Sequence, residues 1–269
     1  MRRSLPLCAS LALLFAVSLG ASAIDIAVYT ETTQWIGQAQ AQEQADIFMA
    51  EMDGADGVDS VTNPGQGDLE QWTIDHTVPD GGHLIVLYGD IPATIYENAD
   101  ADGSVAEEFL DAGNSFSNSN DYFFWGIGGR NSEAGIQNMM DIPGIVQWDD
   151  NTPMERTAEG EAAVPSMPAA FTTDRPFHVD QLIDPWVLEV AFASTTGDQD
   201  TTRCDPCIVH DTETNGRLIQ VYQTNGVEQE EGLALAEILK NHYLDAIGAL
   251  DVEPENKLST TWAQLKTRR

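Results

Sequence analysis

The sequence predicts an α/β fold: a mostly parallel open sheet with helices on both faces and an antiparallel, strand-rich extension at the C-terminal end. Three observations predict it. The chain opens with an apolar run, Ile24 to Thr30 (IDIAVYT), followed by an Ala/Gln-rich helical stretch from Gly37 to Met52. His83 to Gly89 (HLIVLYG) has a Leu-Ile-Val-Leu core without polar alternation, the pattern of a strand covered on both faces. The second half is rich in short strands and closes on an amphipathic helix, Glu230 to Ile247.

The remaining elements fall between these. After a Gly/Asp-rich break, Val58 to Val61 reads as a short second strand. Ser104-Val105-Ala106-Glu107 is a capping box that opens a helix running to about Ala112. Asp121 to Trp125 reads as the next strand, ending in the turn Gly126-Ile127-Gly128-Gly129, and Gly135 to Met140 as a short helix. The Pro/Thr/Glu-rich stretch from Asp149 to Arg175 is too long for an ordinary loop and is expected to pack against the sheet or cover a site. Trp186 to Ala193, Cys207 to His210 and Leu218 to Gln223 are further strands, the last two joined by the hairpin-like Asp211 to Gly216.

Residues 1–23 have the form of a cleaved signal peptide. Arg2 and Arg3 make a basic start, Ser10 to Leu19 is apolar, and Ala21-Ser22-Ala23 supplies the cleavage pattern. The apolar run is shorter than the roughly 20 residues a membrane-spanning helix needs. A secreted or periplasmic chain is expected, organised as one domain over residues 24–252 with a tail at 253–269. The formal net charge is −32, and Ile24 to Gly129 holds 20 acidic side chains without one Lys or Arg. Such a surface repels phosphate backbones and anionic lipid, which argues against nucleic acid and acidic membranes as partners. The tail reverses the sign, with Lys257, Lys266, Arg268 and Arg269 against two acids, and reads as a short amphipathic helix or a frayed end.

Three segments occur in the order seen in one known family: Tyr122 to Gly129 (YFFWGIGG), Arg175 to Leu182 (RPFHVDQL) and the strand beginning Gly216-Arg217 (GRLIQVYQT). In these the chain resembles ThuA-like proteins, relatives of the class I glutamine amidotransferase fold, over most of its length after residue 23. The resemblance implies a flavodoxin-like three-layer α/β/α sandwich and a link with sugar metabolism. It does not carry amidotransferase chemistry, which needs a nucleophilic Cys on a strained turn with His and a carboxylate beside it. The turn Gly126 to Gly129 has neither Cys nor Ser, and Thr224-Asn225 stands where such chains often have Gly-His.

No G-x-S-x-G, P-loop or H-E-x-x-H pattern is present, and no cofactor is implied. A ligand, if bound, is expected at the carboxyl ends of the parallel strands, near Gly89-Asp90 and the stretch Gly126, Gly128, Gly129, Arg130 and Asn131. Arg130, the first cation after the leader, would hold a carboxylate or sugar hydroxyl, or else neutralise Asp90 or Asp121. His178 with Asp180 is the most pointed of the histidine candidates, and Trp35 and Trp125 are candidate sugar platforms as well as ordinary core residues. Asn98, Asp100 and Asp102 resemble the start of a calcium loop, but the twelfth position is Phe109, and a loop-to-helix junction accounts for them better. No metal site is assigned. Cys204 and Cys207 favour a local disulfide in an oxidising exterior, with zinc held by both and His210 as the alternative.

Two functions follow: a non-catalytic ligand-binding or scaffolding domain for a small molecule or carbohydrate, or an extracytoplasmic carbohydrate-related enzyme with a non-standard site. Oligomeric state is left open.

Overall fold

The computed structural model describes residues 23–250 apart from 80, 101, 120 and 225–229. The leader, the basic tail and Asn225 therefore lie outside the described residues. Two sheets are present. In chain order the elements are β1 (Ile24–Tyr29), α1 (Gln38–Met52), β2 (Val58–Thr62), α2 (Gln66–Asp75), β3 (Leu84–Leu87), α3 (Val105–Asp111), β4 (Ser115–Asn118) and α4 (Ala134–Met139). There follow β5 (Thr152–Arg156), α5 (Ala158–Ala163), β6 (Ala170–Thr173), β7 (Phe177–His178), β8 (Trp186–Ala191), β9 (Ala193–Ser194), β10 (Arg203–Cys204), β11 (Cys207–Asp211), β12 (Arg217–Gln220) and α6 (Glu231–Ile238). The last helix runs on through a π-turn, Leu239–Tyr243, to Leu244–Ala246.

The larger sheet has the order β2-β1-β3-β4-β12-β11-β8. The ladders from β2 to β12 are parallel and the last two antiparallel, as the element order predicts. Alternation along each strand fills both faces. Ile26, Val28, Leu84 and Val86 pack against α1 and α6, whereas Ala27, Tyr29, Ile85 and Leu87 pack against α2, α3 and α4.

The structure corrects the expectations in four places. Asp121 to Trp125 is not a strand. The slot between β3 and β12 is taken by the more polar Ser115–Asn118, which the sheet tolerates because both neighbours satisfy its backbone and Ser115 Oγ meets the Tyr243 hydroxyl at 2.9 Å. The aromatic run after it turns on itself, with Trp125 N–H donating to the Tyr122 carbonyl and Phe124 at φ 61°. Gln66–Asp75 is a helix that the pattern did not disclose, because only Leu69 and Thr73 of its ten residues are buried.

The stretch from Asp149 to Arg175 is structured rather than irregular. It supplies β5, α5 and β6, and these join β7, β9 and β10 in a second, antiparallel sheet of order β6-β5-β9-β10-β7.

The fourth correction concerns Cys204 and Cys207, both free and buried. Cys204 is held in the small sheet opposite Phe177 and Ser194, and Cys207 in the large sheet opposite Gln220 and Ala191. The tetrapeptide thus bridges two ladders, and Cys207 Sγ lies 3.6 Å from the Cys204 carbonyl oxygen instead of the other sulfur. The zinc alternative fails with it. Cys207 packs in the same cluster as Val209, so His210, an odd number of residues from Cys207, projects from the other face, where it lies 3.8 Å from Glu189.

Candidate functional site

The carboxyl edge of the parallel strands is where the two sheets meet. Asp205, fully buried between β10 and β11, accepts the amides of Tyr222 and Gln223 at 2.8 Å each and the hydroxyl of Thr173. Burial pushes its carboxyl up to about 6, against the pull of those hydrogen bonds. Gln220, the last residue of β12, donates to the Arg175 carbonyl at 2.9 Å and accepts from Gln147 at 2.6 Å; Gln147 in turn accepts the Phe123 amide. This buried amide relay fixes three loops relative to one another: those carrying Tyr122, Trp148 and Arg175.

Arg175 is the centre of the arrangement they form. Its guanidinium carbon lies 4.2 Å from the ring centre of Trp148, 4.8 Å from that of Trp35 and 5.3 Å from that of Tyr122. Asp150 accepts from Nη1, the Asp174 carbonyl accepts from the same nitrogen at 2.6 Å, and Asp121 stands 3.6 Å from Nε. Arg175 is only 8% exposed, while Trp148 is 48% exposed, so the cation is covered and one ring of its cage faces solvent. Tyr122 also stacks on Trp125 at 5.2 Å and meets Trp148 edge-on at 5.0 Å.

Beside it lies a second group. Arg203 donates to Asp149 at 2.8 Å and to Asp180 at 2.6 Å, and the His178 Nε2 is 3.7 Å from Asp149. The expected His178–Asp180 pair is therefore not formed: Asp180 serves Arg203, and Asp149 is the carboxylate nearest the imidazole. His178 is 3% exposed, and neither ring nitrogen has a hydrogen-bond partner among the described residues. Burial, with the Arg203 charge adding to it, lowers its pKa to about 4 against Asp149 and Asp180. The ring is neutral at pH 7 and keeps one N–H donor and one lone pair uncommitted.

The residues around the glycine turn are committed elsewhere. Arg130 donates to the Ile91 carbonyl at 2.6 Å and lies 3.4 Å from Glu97, while Asp121 stands beside Arg175. It folds over Gly126, where a Cβ would come within 2.7 Å of its guanidinium. The Gly128 amide donates to Gln34, and Gly128 and Gly129 take φ of 70° and 75°, values that side chains disfavour. Asn131 is fully buried, donating to the Phe124 carbonyl at 2.7 Å and accepting from Asn98. The same contacts account for Asn98, whose side-chain oxygen accepts from Tyr96 and Asn138, so it is a loop clamp. At Gly89 a Cβ would sit 2.0 Å from the Glu31 carbonyl, and the Asp90 amide and carbonyl both bond Thr32.

The sequence pointed to Trp35, Trp125, His178 and the segment containing Arg175. It missed Trp148-Asp149-Asp150, whose three side chains address Arg175, Arg203 and Arg175 in turn. An aromatic residue beside paired acids in a long connection was the available signal. A cavity of about 260 Å³ lies at the opposite, amino edge of the sheet, lined by Gly82, Gly113, Asn215, Arg217, Ala246 and Ile247. Arg217 is already paired there with Glu189 at 2.7 Å, and no aromatic ring lines the space. The carboxyl edge is the chemically better-equipped of the two.

No family model matches this chain, and no curated protein matches it. Among solved structures it is similar to a ThuA-like protein from Bacteroides uniformis, with 14% identity over 83% of this chain and 92% of that one and a TM-score of 0.45. A ThuA-like protein from Parabacteroides merdae is similar at 12% identity over 86% of this chain and 92% of that one, with a TM-score of 0.40. Among the described residues no helix is long and apolar enough to cross a membrane.

Proposed function

We propose that this chain is an exported, non-catalytic carbohydrate-binding domain on a flavodoxin-like, ThuA-like scaffold, with its sugar seated over Trp148 and Trp35 beside Arg175. The observation that carries the reading is the guanidinium of Arg175, enclosed by three aromatic rings and flanked by Asp121 and Asp150. Aromatic faces offer an apolar surface to the C–H side of a sugar ring, and neighbouring Arg and Asp groups offer donors and acceptors to adjacent hydroxyls. Paired charges favour a neutral sugar over an ionic ligand, since a charged one would disturb the existing balance. The absent nucleophile in Gly126 to Gly129 removes the amidotransferase reaction and leaves binding.

The enzymatic alternative draws its support from one feature, the neutral and unpartnered His178 beside Asp149. A pKa near 4 makes this ring a weak base, which favours hydrogen bonding to a ligand over proton transfer. The test is a panel of neutral oligosaccharides titrated by calorimetry and tryptophan fluorescence. A sugar is expected to bind wild type, with affinity falling about tenfold in Trp148→Ala, from the loss of one stacking face. Turnover of any bound sugar, abolished in His178→Gln, would replace this reading with the enzymatic one.

A further inference from the structure

A side-chain cluster that takes no part in the carboxyl edge lies at the amino end of the sheet, where β1 begins, α2 ends and β3 begins. We infer that Asp25, His76 and His83 form a binding site for a divalent transition metal of zinc's class. One ligand atom from each residue lies within 4.8 Å of the other two. His76 Nε2 is 3.3 Å from Asp25 Oδ2, and His83 Nδ1 is 3.6 Å from that oxygen. A tetrahedral ion with bonds of about 2.0–2.1 Å holds neighbouring donor atoms roughly 3.3–3.4 Å apart, so the first edge already fits and the second is nearly closed.

The hydrogen bonding of His76 is the more telling feature. Its Nδ1 stands 2.6 Å from the Trp72 carbonyl oxygen, which only accepts, so this nitrogen carries a proton. Nε2 then faces the carboxylate oxygen at 3.3 Å, a separation that a second proton bridges as an ion pair and that a metal ion would bridge in the proton's place. A ring N–H given to a backbone carbonyl is also the usual outer-shell support of a metal-bound histidine. Further bracing fixes the other groups. Trp72 stacks on the His76 ring at 3.9 Å, Ser60 donates to Asp25 Oδ1 at 2.5 Å, and Asn114 accepts the His83 amide at 2.8 Å. The β1–β2 register shifts between Ile24 and Asp25, and the Asp25 amide is given to His83 Nδ1 at 3.0 Å. An ion on that nitrogen displaces this one hydrogen bond.

Two imidazoles and one carboxylate suit zinc, cobalt or nickel better than calcium or magnesium, which take oxygen ligands. The three side chains are 22%, 21% and 14% exposed, for His76, Asp25 and His83, leaving solvent to supply a fourth ligand. Gly82, which lines the cavity at this edge, precedes His83 in the chain.

The test is a titration of the chelator-stripped full chain with Zn(II), and with Co(II) for its visible spectrum, alongside His76→Gln and His83→Gln. One saturable equivalent is expected, weakened by at least about 100-fold in either variant, the upper end of what loss of even an outer-shell partner costs. Co(II) should give the intense bands of a four-coordinate site. Weak binding that is spread over many equivalents and unchanged in both variants would assign the metal to surface carboxylates and overturn the proposal. If the variants fail to fold, zinc-induced nitrogen shifts in the wild-type histidine NMR spectrum decide. Shifts at His76 Nε2 and His83 support the site, and their absence refutes it.

Discussion

Arg130 and Arg175 stand at the same edge of the same sheet, yet one is spent on the scaffold and the other is arranged as a site would be. Arg130 follows a glycine turn and donates inward to the Ile91 carbonyl, its charge met by Glu97. Arg175 follows a polar connection and is held between aromatic rings, with carboxylates from two other segments. The difference teaches what a glycine-rich turn reports. Gly126 is there because Arg130 lies over it, and Gly89 because Glu31 approaches it, so these glycines record contacts within the chain rather than room for a ligand.

The largest effect expected separates the two regions by pH. His178, beside the Arg175 group, has its pKa lowered to about 4 from 6.5, mainly by burial. A lowered histidine contributes stability that is fully present above pH 6.5 and is lost as pH falls through 4. The stability advantage of wild type over His178→Gln should therefore shrink by on the order of 3 kcal/mol between pH 7 and pH 4, followed by urea unfolding. Arg130→Ala should leave that pH profile unchanged. A flat difference for His178→Gln would mean that the imidazole titrates as it does in the unfolded chain and that the edge is wetter than its burial indicates.

A smaller effect is expected from Arg130 itself. Its removal strands the Ile91 carbonyl and should cost about 1–2 kcal/mol in urea unfolding, since a charged hydrogen bond is lost from a group that is mostly buried. Asn131→Ala probes the same scaffold through Phe124, an aromatic residue held at φ 61° by the Asn131 amide. It should destabilise by about 1–3 kcal/mol, as loss of a buried hydrogen-bonding side chain does, without touching sugar affinity. A loss of sugar affinity without loss of stability would move the site back to the glycine turn. The smallest effect concerns the thiols. With Cys204 and Cys207 in separate ladders, reductant should leave the melting temperature unchanged, and intact mass after alkylation under denaturing conditions should count both as free.

Legibility followed the same division. The β-α-β opening, the fully apolar β3 and the hairpin at Asp211 to Gly216 were readable because hydrophobic period and turn chemistry act over a few residues. Ser115–Asn118 was not, since a central strand flanked on both sides has its backbone satisfied by neighbours far away in sequence and can afford polar side chains. The second sheet escaped for a related reason: its strands are two to five residues long and pair across long intervals. Of the site, Trp35, His178 and the Arg175 segment could be singled out, but their assembly depends on the Gln147–Gln220–Arg175 relay, which no local pattern encodes.

The most direct test of the central claim sets the two arginines against each other. Arg175→Lys keeps the charge but loses the planar group that rings can cover, whereas Arg130→Ala removes the charge from the glycine turn. Using the sugar that binds wild type, affinity should fall about tenfold in Arg175→Lys with the melting temperature nearly retained, and should stay within about twofold of wild type in Arg130→Ala. Wild-type affinity in Arg175→Lys together with loss of binding by folded Arg130→Ala would contradict the assignment and return the site to the glycine turn.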